Sequence, residues 1–282
     1  MAPTRLIRFF AEEDGQTHLG EVDVTQFADI GLTAANGERV AARLVTGSIF
    51  GGTVTEKTLH VARTGVPLAP APFYTSLSFD AWALNYRDHA KEANIPIPDA
   101  PVLFIKPGAA LNGPHPAKIN VPKIAQDGSR DYEALSVILS KTGRDIPESD
   151  AMDYVLGYTC SNDVSARTQQ FKNRLDGSCP LGSVLVAPSE LDPYRLDIKA
   201  IHDGSVVQDS NTRVELWLAD GREMIFDIPR IIAFLSQGTT LARGTVIMTG
   251  TGPGIGAMRS PKVVLRDGDD MRAQIPRDWH AL

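Results

Sequence analysis

The run Asn85-Tyr86-Arg87-Asp88-His89-Ala90-Lys91-Glu92 is the first dense cluster of side chains able to move protons. His89 and Glu92 are three residues apart, so on a helix they share a face and can touch. A carboxylate that orients an imidazole and raises its basicity makes a general base for neutral pH. The same spacing also describes an incidental ion pair on a solvated helix face. Two carboxylate clusters follow. Asp131-Tyr132-Glu133 leads into an apolar strand, and Asp163 lies within Ser161-Asn162-Asp163-Val164-Ser165-Ala166-Arg167. Carboxylates at strand ends suit a hard cation such as Mg²⁺ or Ca²⁺, and they equally suit plain solvation of the strand end. The last cluster is Thr249-Gly250-Thr251-Gly252-Pro253-Gly254-Ile255-Gly256. Gly252 to Ala257 fits G-x-G-x-x-A, but a dinucleotide site needs a helix directly after it and a βαβ unit around it. Pro261 and a short strand follow instead, which excludes that reading. The loop is suited to bring backbone amides and the Thr251 hydroxyl to a ligand carboxylate.

These residues must be held by a mostly β scaffold. Strands are expected at Leu6–Phe10, His18–Val22, Lys118–Pro122, Glu133–Leu139, Val184–Ala187, Leu196–Ile201, Val246–Thr249, Val263–Leu265 and Met271–Ile275, and strand or turn at Thr53–Ala62. Helices are expected at Asn85–Glu92, closed by Pro96 and Pro98, and at Ile228–Gln237, with Pro229 in its first turn and Gly238 as its stop. Prolines 67, 70 and 72 separate a small N-terminal domain, residues 1–72, from a large one, residues 73–282. The fold class is α+β, mostly β.

Composition narrows the partners. A net charge of -6 without like-charge blocks, and 7% aromatic residues, argue against nucleic acid. No stretch reaches the ~18 apolar residues of a membrane span. No apolar run follows Arg5 and Arg8 as a secretory signal would require, so the expected compartment is the cytoplasm. Cys160 and Cys179 are expected to stay reduced there, with Cys179 a packing residue.

In their order and spacing these clusters resemble the fumarylacetoacetate hydrolase family. Leu84 to Ala90 is similar to its lid motif, and Phe104-Ile105-Lys106-Pro107 to its next signature. Asp131 to Ala134, Gly157-Tyr158, Asn162 to Arg167, Pro180-Leu181-Gly182 and Thr249-Gly250-Thr251 follow in family order. The resemblance runs from about Phe73 to Ile275. It implies a mixed β-roll catalytic domain, usually in a homodimer, acting on a small carboxylic acid or dicarbonyl substrate. It also implies a divalent cation on three carboxylates, Mg²⁺ with Mn²⁺ or Ca²⁺ as alternatives. By position His89 and Glu92 match the water-activating dyad, and Glu133 and Asp163 match two metal ligands. Tyr86, Arg87, Gln170, Lys172 and Thr251 fall at substrate-binding positions.

Three departures qualify it. The family strand reads D-Y-E-x-E-L, whereas this chain reads Asp131-Tyr132-Glu133-Ala134-Leu135, as though the second glutamate had been deleted. Leu135 stands at the spacing of that ligand, so cation binding is expected to be weakened or lost. Asn173 stands where the family has a substrate-binding lysine, with Lys172 beside it. Arg213 to Glu223 is an added segment that reads as a hairpin. Three functions remain open on this reading. The first is C–C hydrolysis or decarboxylation of a β-dicarbonyl or 2-oxo acid. The second is metal-independent His–Glu acid/base catalysis. The third is a non-catalytic homologue. His115, in the turn Gly113 to Pro116, is read as a solvated loop residue, His202 and His280 have no motif partner, and Trp217 of the added segment is read as part of an interface or a pocket wall.

Overall fold

The computed structural model describes residues 1–23, 26, 30–65, 73–75, 84–126, 129–130, 133–166, 175–213 and 223–275. In chain order β1 (Arg5–Ala11), β2 (Thr17–Glu21), α1 (Ile30–Ala35), β3 (Ala41–Thr46) and β4 (Thr53–Gly65) come first. Next are β5 (Phe73–Thr75), α2 (Arg87–Ala93), β6 (Phe104–Lys106), β7 (Leu111–Asn112), β8 (Ser129–Arg130) and β9 (Glu133–Leu139). Then follow β10 (Val155–Asn162), β11 (Ser165–Ala166), β12 (Cys179–Pro180), β13 (Val184–Val186), β14 (Asp197–His202) and β15 (Ser205–Asn211). The last elements are α3 (Ile228–Ser236), β16 (Val246–Met248) and β17 (Met271–Gln274).

The principal sheet has the order β2-β3-β4-β1-β13-β10-β9-β16-β5-β6. It is antiparallel except at β16–β5, so it is mixed. Its N-terminal strands bury Ile7, Phe9, Ala42, Leu59 and Val61 in a cluster of their own, and β1 hydrogen-bonds directly to β13. The sheet must curl. In a flat sheet β6 would lie four strand spacings, about 19 Å, from β10. Lys106 at the end of β6 nevertheless meets Asp163, just past the end of β10, at 2.6 Å. Ile138, Val246, Met248, Cys179 and Leu181 pack as one cluster. Another joins Tyr86, Leu135, Val137, Leu139 and Ile247 to Ile228, Ile231, Ile232 and Leu235 of α3.

Both expected helices form, for local reasons. In α3 the Asp227 side chain caps the N-terminus by accepting from Arg230 N, and Pro229 sits in the first turn. α2 begins at Arg87, two residues later than expected, because Asn85 and Tyr86 are spent on extended pairing. The Asn85 amide brackets the Phe226 backbone, donating to its carbonyl at 3.1 Å and accepting from its N–H at 2.7 Å. Asn94 ends the helix in the left-handed region at φ 53°.

Two expected strands are absent. Residues 118–122 and 263–265 are irregular, the latter holding to Gly256 by a backbone bond from Val263 N at 3.0 Å. β-branched residues without a neighbouring ladder do not make a strand. Conversely β3, β10, β15 and α1 form where none was anticipated. Among the described residues no helix is long and apolar enough to cross a membrane.

Candidate active site

Helix α2 presents His89 and Glu92 as the i, i+3 spacing requires. His89 Nδ1 lies 3.2 Å from Glu92 Oε2, with the His89 side chain only 1% exposed and that of Glu92 28%. The second Glu92 oxygen, Oε1, accepts from Gly254 N at 2.9 Å. The glycine-rich loop thus offers an amide to a carboxylate, and that carboxylate belongs to the dyad. Asp88 is tied on three sides. Its Oδ1 accepts from His89 N at 2.7 Å, its Oδ2 from the Ser210 hydroxyl, and its own N–H donates to Glu223 Oε2 at 3.1 Å. Burial raises the Asp88 carboxyl above its ordinary range, against the bonds from Ser210 and the His89 amide. Burial also raises Glu223, reinforced by the charge of Asp88.

The loop is shaped to lie against its neighbours. Gly250 has φ +112°, and a Cβ there would come within 2.9 Å of Asn85 Cβ. Thr251 is 1% exposed; its hydroxyl accepts from Gln208 Nε2 at 3.0 Å and reaches the Gly252 carbonyl at 3.3 Å. Tyr86 is fully buried in the core with its hydroxyl 3.2 Å from Thr249 Oγ1. Arg87 is half-buried at the first position of α2, its N–H donating to Glu223 O at 2.8 Å. Gln170, Lys172, Asn173 and residues 214–222 of the added segment lie outside the described residues, as does the side chain of Glu133.

A second cluster surrounds Asp163. Its Oδ1 accepts from Ser165 Oγ at 3.0 Å and pairs with Lys106 Nζ at 2.6 Å; the Lys106 and Asp163 side chains are 0% and 3% exposed. Lys106 also donates to Ser178 Oγ at 3.0 Å. Asp163 Oδ2 is buried and has no hydrogen-bond partner among the described residues, as a metal-ligand oxygen would. Yet the other oxygen already holds an ammonium, and Leu135, fully buried in the apolar core, cannot supply a donor. The described donors therefore do not make up a three-carboxylate cation site. Glu133 opens β9 with its backbone paired to Asn162, one residue short of Asp163. Cys179 packs beside this cluster, and burial pushes its thiol up to about 12, which keeps it protonated and inert.

The Lys106–Asp163 pair carries a stability prediction. Lys106→Met leaves a buried, unpaired carboxylate and should lower stability by about 3–5 kcal/mol in urea titration. The double variant with Asp163→Leu should recover part of that loss. A single variant as stable as the parent would show that the pair is not buried as described.

No linear pattern marks Lys106 as the partner of Asp163, or Gln208, Ser210 and Glu223 as supports. His202 likewise has no motif partner in the sequence. In the fold His202 Nε2 is 3.0 Å from Asp269 and 3.6 Å from Asp203, closing the β14–β15 turn onto the approach to β17. The ligand-type atoms of these three residues lie within 4.8 Å of one another. A cavity of about 220 Å³ beside β10 is bordered by Leu135, Tyr158, Cys160, Asn162, Leu181 and Gln274, and not by His89, Glu92, Asp163 or Thr251.

Comparison with known proteins places this geometry in context. Residues 81–278 match the family model of the fumarylacetoacetate (FAA) hydrolase C-terminal domain. A caffeoylpyruvate hydrolase of Neonothopanus nambi is 35% identical over 96% of this chain and 89% of its own length. The mitochondrial oxaloacetate tautomerase fahd2 of Xenopus laevis is 39% identical, over 68% of this chain and 60% of that protein. The solved structure of a fumarylacetoacetate hydrolase from Exiguobacterium antarcticum superimposes with a TM-score of 0.69 at 27% identity, covering 96% of this chain and 95% of that one.

Proposed function

The chain belongs to the fumarylacetoacetate hydrolase family, and from that premise we propose that it hydrolyses the C–C bond of an acylpyruvate-type 2,4-dioxo acid by means of the His89–Glu92 dyad. The observation that carries the reading is the dyad itself. The imidazole is buried, it is held by a carboxylate, and a backbone amide fixes that carboxylate in turn. A relative matched over 96% of this chain is named for hydrolysis of caffeoylpyruvate.

In this mechanism His89 removes a proton from water as the oxygen adds to the acyl carbonyl carbon. Glu92 keeps the imidazole oriented and offsets the imidazolium charge. The bond between that carbon and C3 then breaks, leaving a carboxylic acid and the enolate of pyruvate. The proton held on His89 returns to the enolate carbon, so water is consumed and one carboxylic acid and one pyruvate are formed. The described donors around Asp163 do not make up a three-carboxylate cation site, and no step above depends on a metal.

A second reading is favoured by one observation, the occupation of Asp163 by Lys106. A dyad without a strong cation can still shift a proton between carbon and oxygen, which is all that keto–enol tautomerisation of a 2-oxo acid requires. The two readings separate in one experiment. Purified protein is given a panel of acylpyruvates and oxaloacetate, with Mg²⁺ or with chelator. Pyruvate release and keto–enol exchange are followed separately. The hydrolase reading expects pyruvate in stoichiometric amount with the carboxylic acid. Exchange without cleavage selects the tautomerase, and neither reaction on any member of the panel rejects both.

A further inference from the structure

We propose that Gln208 and Ser210 are positioning residues that hold the His89–Glu92 dyad together from opposite sides. This rests on the dyad reading above and adds to it the strand that sets the dyad's geometry. The two residues alternate along β15, where Gln208 is 2% exposed, Ser210 6%, and Asp209 between them faces solvent. They therefore share the inward face of one strand.

Ser210 governs the histidine side. Its hydroxyl donates to Asp88 Oδ2, and the other oxygen of Asp88 accepts the N–H of His89 at 2.7 Å. One hydroxyl thus orients the carboxylate that fixes the His89 backbone. Gln208 governs the glutamate side. Its Nε2 reaches Thr251 Oγ1 at 3.0 Å, Gly252 O at 2.9 Å and Pro253 O at 3.2 Å. The next amide in the loop, Gly254 N, is the one that holds Glu92 Oε1.

The loop lies directly on this strand. A Cβ on Gly252 would come within 2.5 Å of Ser210 Cβ, and one on Gly254 within 2.2 Å of Val207 O. Arg259 completes the attachment, donating through Nε to Gly254 O at 2.9 Å and through Nη2 to Val207 O. Gln208 keeps this arrangement although its own Oε1 is buried with no hydrogen-bond partner among the described residues. An amide that commits its donors to the loop while its acceptor is unmet is explained by the loop. Small displacements of a proton-transfer pair have large effects on rate, because the reacting atoms must stay within about 3–3.5 Å.

The test uses Ser210→Ala, Gln208→Met and the conservative Ser210→Thr in the full chain, with His89→Gln as control. Amide hydrogen exchange needs no substrate. It should accelerate at His89 in Ser210→Ala and at Gly254 in Gln208→Met, and return to the parental rate at His89 in Ser210→Thr. On whichever substrate the panel identifies, kcat should fall about tenfold or more in the first two variants, with a displaced pH–rate profile. Ser210→Thr should recover most of it. If Gln208→Met does not fold, Ser210→Ala and its threonine rescue decide the matter. Unchanged exchange at both amides, with kcat and pH profile intact, overturns the positioning role even where His89→Gln is inactive. Full activity in His89→Gln would instead reject the dyad reading, leaving the exchange result to stand as a statement about structure alone.

Discussion

Replacing His89 with glutamine is expected to lower kcat about 10²–10⁴-fold, the range lost when a general base is removed. The expectation follows from where the ring sits. At 1% exposure His89 gains little as a surface group, and its Nδ1 is already committed to Glu92. Glutamine keeps a polar group of similar length and cannot take up a proton. Glu92→Gln should cost less, because it still offers an acceptor to Gly254 N, but it should shift the acidic limb of the pH–rate profile. The check is a kcat and pH profile for each variant on the identified substrate, with urea midpoints to confirm folding. A His89→Gln protein turning over within threefold of the parent would remove the dyad from the chemistry. The surviving interpretation would then be the ion pair on a helix face that the i, i+3 spacing also permits.

The lid and the Asp163 motif were legible in the sequence because each is local. His89 and Glu92 meet through helix periodicity alone, and the αL residue Asn94 and the proline-rich stretch beyond it mark where that helix stops. The supports were not legible, for two physical reasons. Lys106 and Asp163 are 57 residues apart and meet only because the sheet curls, a property of strand order that no linear pattern records. β15 reads Ser205-Val206-Val207-Gln208-Asp209-Ser210-Asn211, with its buried positions filled by glutamine and serine. A strand that turns polar residues inward lacks the alternation by which strands are recognised. β10 was hidden similarly, since Tyr158, Thr159, Ser161 and Asn162 are all buried and its two faces do not differ in polarity. In both strands the departure from the apolar pattern coincides with the neighbourhood of the site, where polar groups are needed inside.

The strand at Leu135 leads to the second large expected effect. Leu135→Glu should destabilise the protein by about 4 kcal/mol or more and should not increase affinity for Mg²⁺ or Mn²⁺. Leu135 is fully buried with Tyr86, Val137, Leu139 and Ile247, so a carboxylate there would be an unpaired charge in an apolar cluster. Ser136 belongs to the other face, with its hydroxyl 2.8 Å from that of Ser161. Read backward from this fixed register, the family pattern D-Y-E-x-E-L places its second glutamate immediately before the leucine. That place, paired with Ser161, is held here by Ala134. The missing residue therefore belongs between Ala134 and Leu135, and its absence moves every earlier position by one, which exchanges strand faces. Ser161 and Asp163 are two apart and share a side of extended chain. Inserting one glutamate between Ala134 and Leu135 should set a carboxylate opposite Ser161 and return the preceding glutamate to the same parity. Calorimetric titration should then show cation binding at least about tenfold tighter than in the parent, as expected when an oxygen ligand set is completed. If Leu135→Glu instead folds normally and binds the cation while the insertion does not, the ligand was lost by substitution at position 135, and the register argument fails.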